Sequence, residues 1–574
     1  MESINGCSTV KSEARVDNDQ DSESTIHITK AQELKHSLID RKELLRLIKK
    51  ERSEADHVFH ELKRGNVVAA DFTEDQIRAF DSIPQVMNNL KNIIERLGSK
   101  KLVGLVQRNA KIRLISSTNG QKNTTVYPIP HIKSENVKPD MDSESSYLDT
   151  LTKKELFGYF VIGLATLNKP ILSLVIKLFP YTPLWMIKAL VYQNYCGGDD
   201  VKQVVKTGER LAERGIKNMM VSYTVEACDG KQMSVSIPQI IEETKSSVTN
   251  ILTPHIRSML KDATSKVENP VELSNAINEI PPGYVALKPT GLIENAAEVL
   301  LNYENPEYYD RYNELVSNCE SVCEIAAKKN SELKAEYPQR EAPFVSVVVD
   351  AERNDLQQGV YKLQRDLMAK FNRSAIKGAK PQVGDACVVG TVQMYLKESF
   401  GILELEDKLA REGNYILGWK LVRGAYIHSE PDRGVIHNTK EDTDKNYDAG
   451  ILKSIHNMNS GNPTVGHLVV ASHNGNTQLK ATQLLEGLGM NSTADHVRYN
   501  VVLGQLLGMA DNITYDLITN HNVKNIIKYV PWGPPLETKD YLLRRLEENG
   551  DAVRADSGWP LVKGIMSTFF KRLC

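Results

Sequence analysis

The chain has 574 residues, 41% hydrophobic and 25% charged, with a formal net charge of −2. That is the composition of a soluble globular protein, long enough for several domains or one large domain with extensions. The near-neutral balance excludes the broad basic field by which proteins hold nucleic acid.

Residues 1–25 are polar and acidic and contain no apolar segment of a secretory leader. They read as disordered. Charged helical text follows to about residue 85, and residues 1–86 together hold 17 acidic and 13 basic side chains. This is a solvated extension to which no chemistry is assigned. From Met87 to Pro128 the balance reverses, with eight Lys/Arg against the single acid Glu95. Basic, acid-poor, amphipathic text is the composition of a mitochondrial transit peptide. Its internal position predicts either initiation at Met87 or an accessory segment ahead of it; a basic linker is the alternative. Residues 129–150 form a polar linker.

The most apolar stretch lies within 151–215. Asn168-Lys169-Pro170 interrupts it, so neither half reaches the ~20 residues that span a bilayer. These helices pack on a domain or lie against a membrane surface.

From residue 216 strands alternate with helices. The strands are expected at 218–224, 284–288, 344–350, 386–395, 419–424, 467–474, 499–505 and 525–530. Several are near-continuous apolar runs, as parallel strands buried on both faces require. Eight strand–helix units over about 330 residues predict an α/β fold, a distorted (β/α)8 TIM-type barrel with N-terminal helical segments, over 216–550. Residues 551–574 are a tail. An open doubly wound sheet is the alternative, weakened because no GxGxxG follows any strand.

The seven cysteines are scattered, odd in number and lack CxxC pairing, so no disulfide framework is expected. Cys319 and Cys323 share a helix face and read as packed or exposed thiols rather than metal ligands. No metal site is expected.

Barrel enzymes act at the C-terminal ends of their strands. Those ends carry Lys288, Asp350, Gln393 with Tyr395, Lys420 with Arg423 and then Tyr426, His473-Asn474, Gln505 and Tyr529. One such residue could be a capped strand end; polar groups on seven strands make a constellation. A final helix follows, in which Tyr541, Arg544, Arg545 and Glu548 share one face and Thr538 or Asp540 can cap the start. Spacing leaves open whether that stripe meets solvent or covers the barrel mouth.

The segments "LKPTGL", "VVVDAE", "TVQMYLK", "KLVRGAY", "VASHN", "GQLLGMAD" and "YVPWGP…YLLRRLEENGD", in that order, resemble proline dehydrogenases, most closely the mitochondrial enzymes of fungi. The resemblance runs over roughly 150–570. It implies FAD at the strand ends, oxidation of L-proline to Δ1-pyrroline-5-carboxylate by hydride transfer from C5 to flavin N5, and ubiquinone as electron acceptor. It also implies peripheral attachment to the matrix face of the mitochondrial inner membrane. By motif, Lys288, Arg544 and Arg545 bind the proline carboxylate and Tyr426, Tyr529 and Tyr541 wall its ring. Asp350 organises the site and orients Lys288 or an arginine. Gln393, Lys420, Arg423, Ser472 and His473 contact FAD, with Lys420 and Arg423 also the catalytic cations. Glu548 pairs an arginine or reaches the FAD ribose. Bacterial members carry Arg then Lys where this chain has Lys420 then Arg423. Tyr529 favours proline over hydroxyproline. A Schiff-base enzyme built on Lys288 is the rival from another class.

Overall fold

The computed structural model describes residues 147–572, apart from 226–234, 266, 268, 377, 428, 490–491 and 554–557. The expected extension, transit-like segment and most of the linker lie outside the described residues.

Eight parallel strands close into a barrel in sequence order, β1 pairing with both β2 and β8. They are β1 (Asn218–Tyr223), β2 (Gly283–Leu287), β3 (Val345–Val349), β4 (Val388–Gln393), β5 (Leu417–Val422), β6 (Val465–Ala471), β7 (Val501–Leu506) and β8 (Ile526–Trp532). Closure rules out the open sheet. Each expected strand is present with ends shifted by up to three residues. The expected strand at 419–424 starts at Leu417 and stops before Arg423, and Tyr499 and Asn500 close a helix rather than open β7.

Apolar runs form these strands because both faces are buried. Met220, Tyr284, Ala286, Val348, Val469, Val502 and Ile527 fill the interior. Alternate residues such as Val221, Val285, Val347, Leu468 and Val530 pack outward against helices. Inside the barrel, the Tyr284 hydroxyl meets His467 Nε2 at 2.7 Å, and His467 Nδ1 meets Asn500 Oδ1 at 3.2 Å. Burial pushes that imidazole down to about 4, so it is a neutral plug.

Among the described residues, the helices ahead of β1 include α1 (Lys153–Ala165), α2 (Lys169–Leu178), α3 (Leu184–Ile187, continuing through a π-turn over Lys188–Tyr192) and α4 (Val201–Glu213). Between β1 and β2 stand α5 (Ile237–Ser246), α6 (Thr253–Thr264) and α7 (Pro270–Asn278). Then come α8 (Ala296–Leu301) and α9 (Tyr309–Glu336) after β2, α10 (Asn354–Phe371) after β3, α11 (Ser399–Gly413) after β4 and α12 (Lys440–Met458) after β5. α13 (Gly475–Glu486) and α14 (Ser492–Asn500) follow β6, and α15 (Asp511–Thr519) follows β7. α16 (Pro535–Val553) and α17 (Gly558–Lys571) follow β8. Cys319 and Cys323 lie on the buried face of α9, where burial pushes the Cys319 thiol up to about 12. They are packed core thiols.

α1 is fastened to the outside of the barrel by charge. Thr152 and Glu155 cap it reciprocally. The buried Glu155 carboxylate accepts from Arg214 Nη2 at 2.6 Å. The hydroxyls of Tyr147 and Tyr159 donate to Asp511 Oδ2 at 2.7 and 2.6 Å, and Asp511 Oδ1 pairs with Lys528 of β8 at 2.6 Å. Leu148, Leu151, Leu156, Tyr159 and Ile565 then bury α1 against α17. Among the described residues no single helix is long and apolar enough to cross a membrane. Lys153–Ala165 and Pro170–Tyr181 meet the apolar criterion only together and are bent by 113°.

Candidate active site

Strand periodicity builds the site. Two residues beyond the interior Ala286, Val348 and Ile527 come Lys288, Asp350 and Tyr529, so these three point into the barrel mouth. Lys420 of β5 joins them. Its ammonium forms an ion pair with Asp350 Oδ1 and lies 5.6 Å from the Tyr529 ring centroid. The Tyr529 hydroxyl donates to Asp350 Oδ2 at 3.0 Å. Burial, and after it the Asp350 charge, raise the Tyr529 phenol well above its usual value, so it stays a donor. Asp350 thus holds Lys420 and Tyr529 together.

A second cluster surrounds Arg423, one residue past β5. Its Nε donates to Asp444 Oδ1 at 2.8 Å, its Nη2 to Thr477 Oγ1 at 2.8 Å, and its Nη1 to the Ser472 hydroxyl. The guanidinium lies 4.4 Å from the Tyr447 ring centroid. Burial would raise Asp444, but hydrogen bonds from Lys440 and Arg423 hold it below the ordinary carboxylate value. Asn474 caps α13 by accepting from the Thr477 N–H at 3.2 Å, which brings that helix N-terminus beside Arg423 and Ser472. A guanidinium, two hydroxyls and a helix N-terminus suit an anionic, hydrogen-bonding group. Gly424 makes the turn that follows, with φ +157°; a Cβ there would stand 2.3 Å from the Tyr395 ring.

His473 follows Ser472 of the second cluster in the chain. Burial, then the charges of Lys528 and Arg545, push its imidazole down to about 3. Its Nε2 accepts from the Leu506 N–H at 3.1 Å, which leaves the proton on Nδ1.

Glu352, which the sequence reading passed over, ties the loops together. Its buried carboxylate accepts from Thr290 Oγ1 at 2.8 Å and from the Tyr426 hydroxyl at 3.1 Å. Its carbonyl accepts from Gln393 Nε2 at 2.8 Å. Gln393 Oε1 in turn accepts from the Ala425 N–H at 3.3 Å, so its amide is engaged by backbone at both ends. The loops carrying Lys288, Asp350 and Tyr426 therefore meet on one side chain two residues past Asp350. Two strand-end residues turn away from the mouth: Tyr395 donates to Glu430, and Gln505 accepts from Thr514 of α15 at 2.8 Å.

α16 begins at Pro535, so Thr538 is not its cap. Thr538 sits inside the first turn, donating to the Pro534 carbonyl at 2.9 Å and meeting Thr224 at 3.1 Å beyond β1. Proline in the first turn is the signal that marks this start. Tyr541 and Leu542 are buried against Ile162, Phe179 and Ile187 of the N-terminal helices. The Arg545 guanidinium lies 5.0 Å from the Tyr541 ring centroid. Arg545 also lines an apolar cavity of about 160 Å³ with Leu542, Leu546, Val161, Phe179 and Leu190. Tyr541 is buried and Arg544 and Arg545 are half-buried. The side chain of Glu548 lies outside the described residues.

A closed parallel barrel with cations, a shared carboxylate and tyrosines at its C-terminal mouth is the arrangement of a barrel enzyme. The family model described as proline dehydrogenase matches residues 204–556. The chain belongs to the proline dehydrogenase family, whose activity is the oxidation of proline in proline catabolism. It is 29% identical over 419 residues to a probable mitochondrial proline dehydrogenase of Schizosaccharomyces pombe, covering 65% of this chain and 78% of that one. It is 25% identical over 461 residues to mitochondrial proline dehydrogenase 1 of Dictyostelium discoideum, covering 74% and 73%. Among solved structures, proline utilization A from Bdellovibrio bacteriovorus, inactivated by N-propargylglycine, shares the fold with a TM-score of 0.50 at 16% identity. That match covers 71% of this chain and 40% of the longer protein.

Proposed function

We propose that the chain oxidises L-proline to Δ1-pyrroline-5-carboxylate with FAD and passes the electrons to ubiquinone at the matrix face of the mitochondrial inner membrane. The observation that carries this reading is the pair of clusters at the mouth, Asp350–Lys420–Tyr529 beside Arg423–Ser472–His473. Their donor set fits FAD: Arg423, Ser472 and the start of α13 suit its anionic part, while Lys420 and the neutral His473 supply donors nearer the barrel axis. When bound, FAD supplies the two-electron acceptor for the hydride leaving C5 of proline. The chain's own residues do the rest. Lys288, Arg544 and Arg545 hold the substrate carboxylate, guanidinium groups being suited to bidentate contact. Tyr426, Tyr529 and Tyr541 confine the ring and exclude water. Lys420 and Arg423 stabilise the negative charge that develops beside them.

The relatives' names, which place them in mitochondria, support that compartment. The visible spectrum of the purified protein tests the reading. Flavin bands that bleach on anaerobic addition of L-proline are expected; a colourless protein inactivated by borohydride with substrate would replace this reading with the Schiff-base one.

A further inference from the structure

Helices α2 and α3 carry an apolar surface exposed on the described fold. Ile171, Leu174 and Leu178 stand at i, i+3 and i+7 on α2, and Tyr181, Leu184 and Trp185 extend the patch to the start of α3. All six are exposed, Tyr181 to 84% and Trp185 to 71%. The inner sides of the same segment are anchored, with Phe179 and Ile187 buried in the cluster that holds Leu542 of α16. The patch therefore belongs to packed elements. Exposed apolar surface of this extent marks an interaction site.

Within its own segment the charge is one-sided. From Leu156 to Gly198 the chain has three lysines (169, 177 and 188) and no acidic residue. Lys188 pairs with Asp199 just beyond this stretch, and Lys177 is exposed in the last turn of α2, beside Leu178. A protein interface carries a rim of mixed charge, whereas a lipid headgroup layer presents phosphate alone to neighbouring cations. Tryptophan and tyrosine belong at the headgroup level, where ring and polar edge are both satisfied.

We propose that α2 and the start of α3 seat the chain on a bilayer containing anionic phospholipid, lying in its surface with Leu174, Leu178 and Trp185 inserted. This rests on the peripheral-membrane reading above and assigns the surface that performs it. The shortness and the 113° bend of the α1–α2 pair fit a surface-lying element.

Flotation of the full chain with vesicles of phosphatidylcholine, with and without phosphatidylglycerol, tests this. Wild type is expected to float with the anionic vesicles and weakly with the neutral ones. Leu174→Glu combined with Trp185→Glu should lower vesicle partition by at least about tenfold while proline-dependent reduction of a water-soluble dye keeps its rate. Lys177→Glu should lose the preference for anionic lipid. Wild type and double variant floating equally would leave the membrane reading standing and overturn this surface. Wild type floating with neither vesicle would overturn both. A concentration-dependent dimer that the double variant abolishes, without flotation, would reassign the patch to contact between copies. Should the double variant lose dye activity, Trp185→Ser alone carries the same comparison.

Discussion

The Tyr529 hydroxyl donates to one oxygen of Asp350 at 3.0 Å while the other oxygen holds Lys420. Tyr529 and Lys420 sit on β8 and β5 and Asp350 just past the end of β3, none of these strands neighbours in the sheet. One carboxylate thus spans the mouth of the barrel and fixes a phenol and an ammonium at once.

Removing that carboxylate should cost far more than removing the phenol. Asp350→Ala leaves a lysine only 6% exposed without its counter-ion, and breaking a buried pair costs about 3–5 kcal/mol. Steady-state assays with proline and a soluble dye are expected to show kcat/KM down by about a hundredfold, roughly 2.7 kcal/mol of transition-state stabilisation. Tyr529→Phe keeps the ion pair and should lose about tenfold or less. Equal losses would contradict the central role of Asp350.

The substrate carboxylate is assigned to α16. Arg544→Met and Arg545→Met should each raise the KM for proline at least about tenfold, some 1.4 kcal/mol of binding. Arg545→Met should cost more, because its guanidinium also stacks on Tyr541. Unchanged KM in both would refute the clamp.

Glu352 should behave as a positioning residue. Glu352→Ala releases both Thr290 and Tyr426, and the loss is expected mainly in KM, by about tenfold. Glu352→Gln keeps a single acceptor oxygen and should fall between this variant and wild type. A uniform fall in kcat, with KM fixed, would argue for a different role.

Acid should loosen α1 first. Burial would raise the Glu155 carboxyl, but the hydrogen bond and charge of Arg214 outweigh it and hold the group below its ordinary value. A carboxyl lowered in the folded state stabilises above its unfolded pKa, about 4.3, and loses that contribution as pH falls through the folded value. Glu155→Gln is expected to destabilise by about 1–3 kcal/mol at neutral pH and to flatten the fall in melting temperature below about pH 4. Parallel melting curves across that range would assign the acid sensitivity elsewhere.

The barrel was legible because parallel strands buried on both faces must be apolar runs, and "FVSVVVD" or "HLVVASHN" has little else it can be. The polar residues that end those runs, Lys288, Asp350 and Tyr529 among them, stood out for the same reason. Less legible was whatever depends on a partner far away in sequence. Asp511 receives Tyr147 across 364 positions, and no local pattern announces it. Glu352 was hidden by its neighbour, since "VVVDAE" draws the eye to the residue that ends the strand. The start of α16 was misplaced because Thr538 and Asp540 look like caps, whereas the helix had already begun at Pro535.

Arg545 belongs to two compartments. It is assigned to a water-soluble substrate, and it walls an apolar cavity built with the helices before the barrel. Inheritance then treats residues such as Val161 and Leu190 unlike ordinary core positions. A change of one methylene there shifts the helix to which the substrate carboxylate is assigned, so on that assignment drift in the packing of α1 and α3 is screened by affinity for proline as well as by stability. Lineages that remodel those helices must re-tune α16 in step, and the two segments should evolve as one unit although some 350 residues separate them.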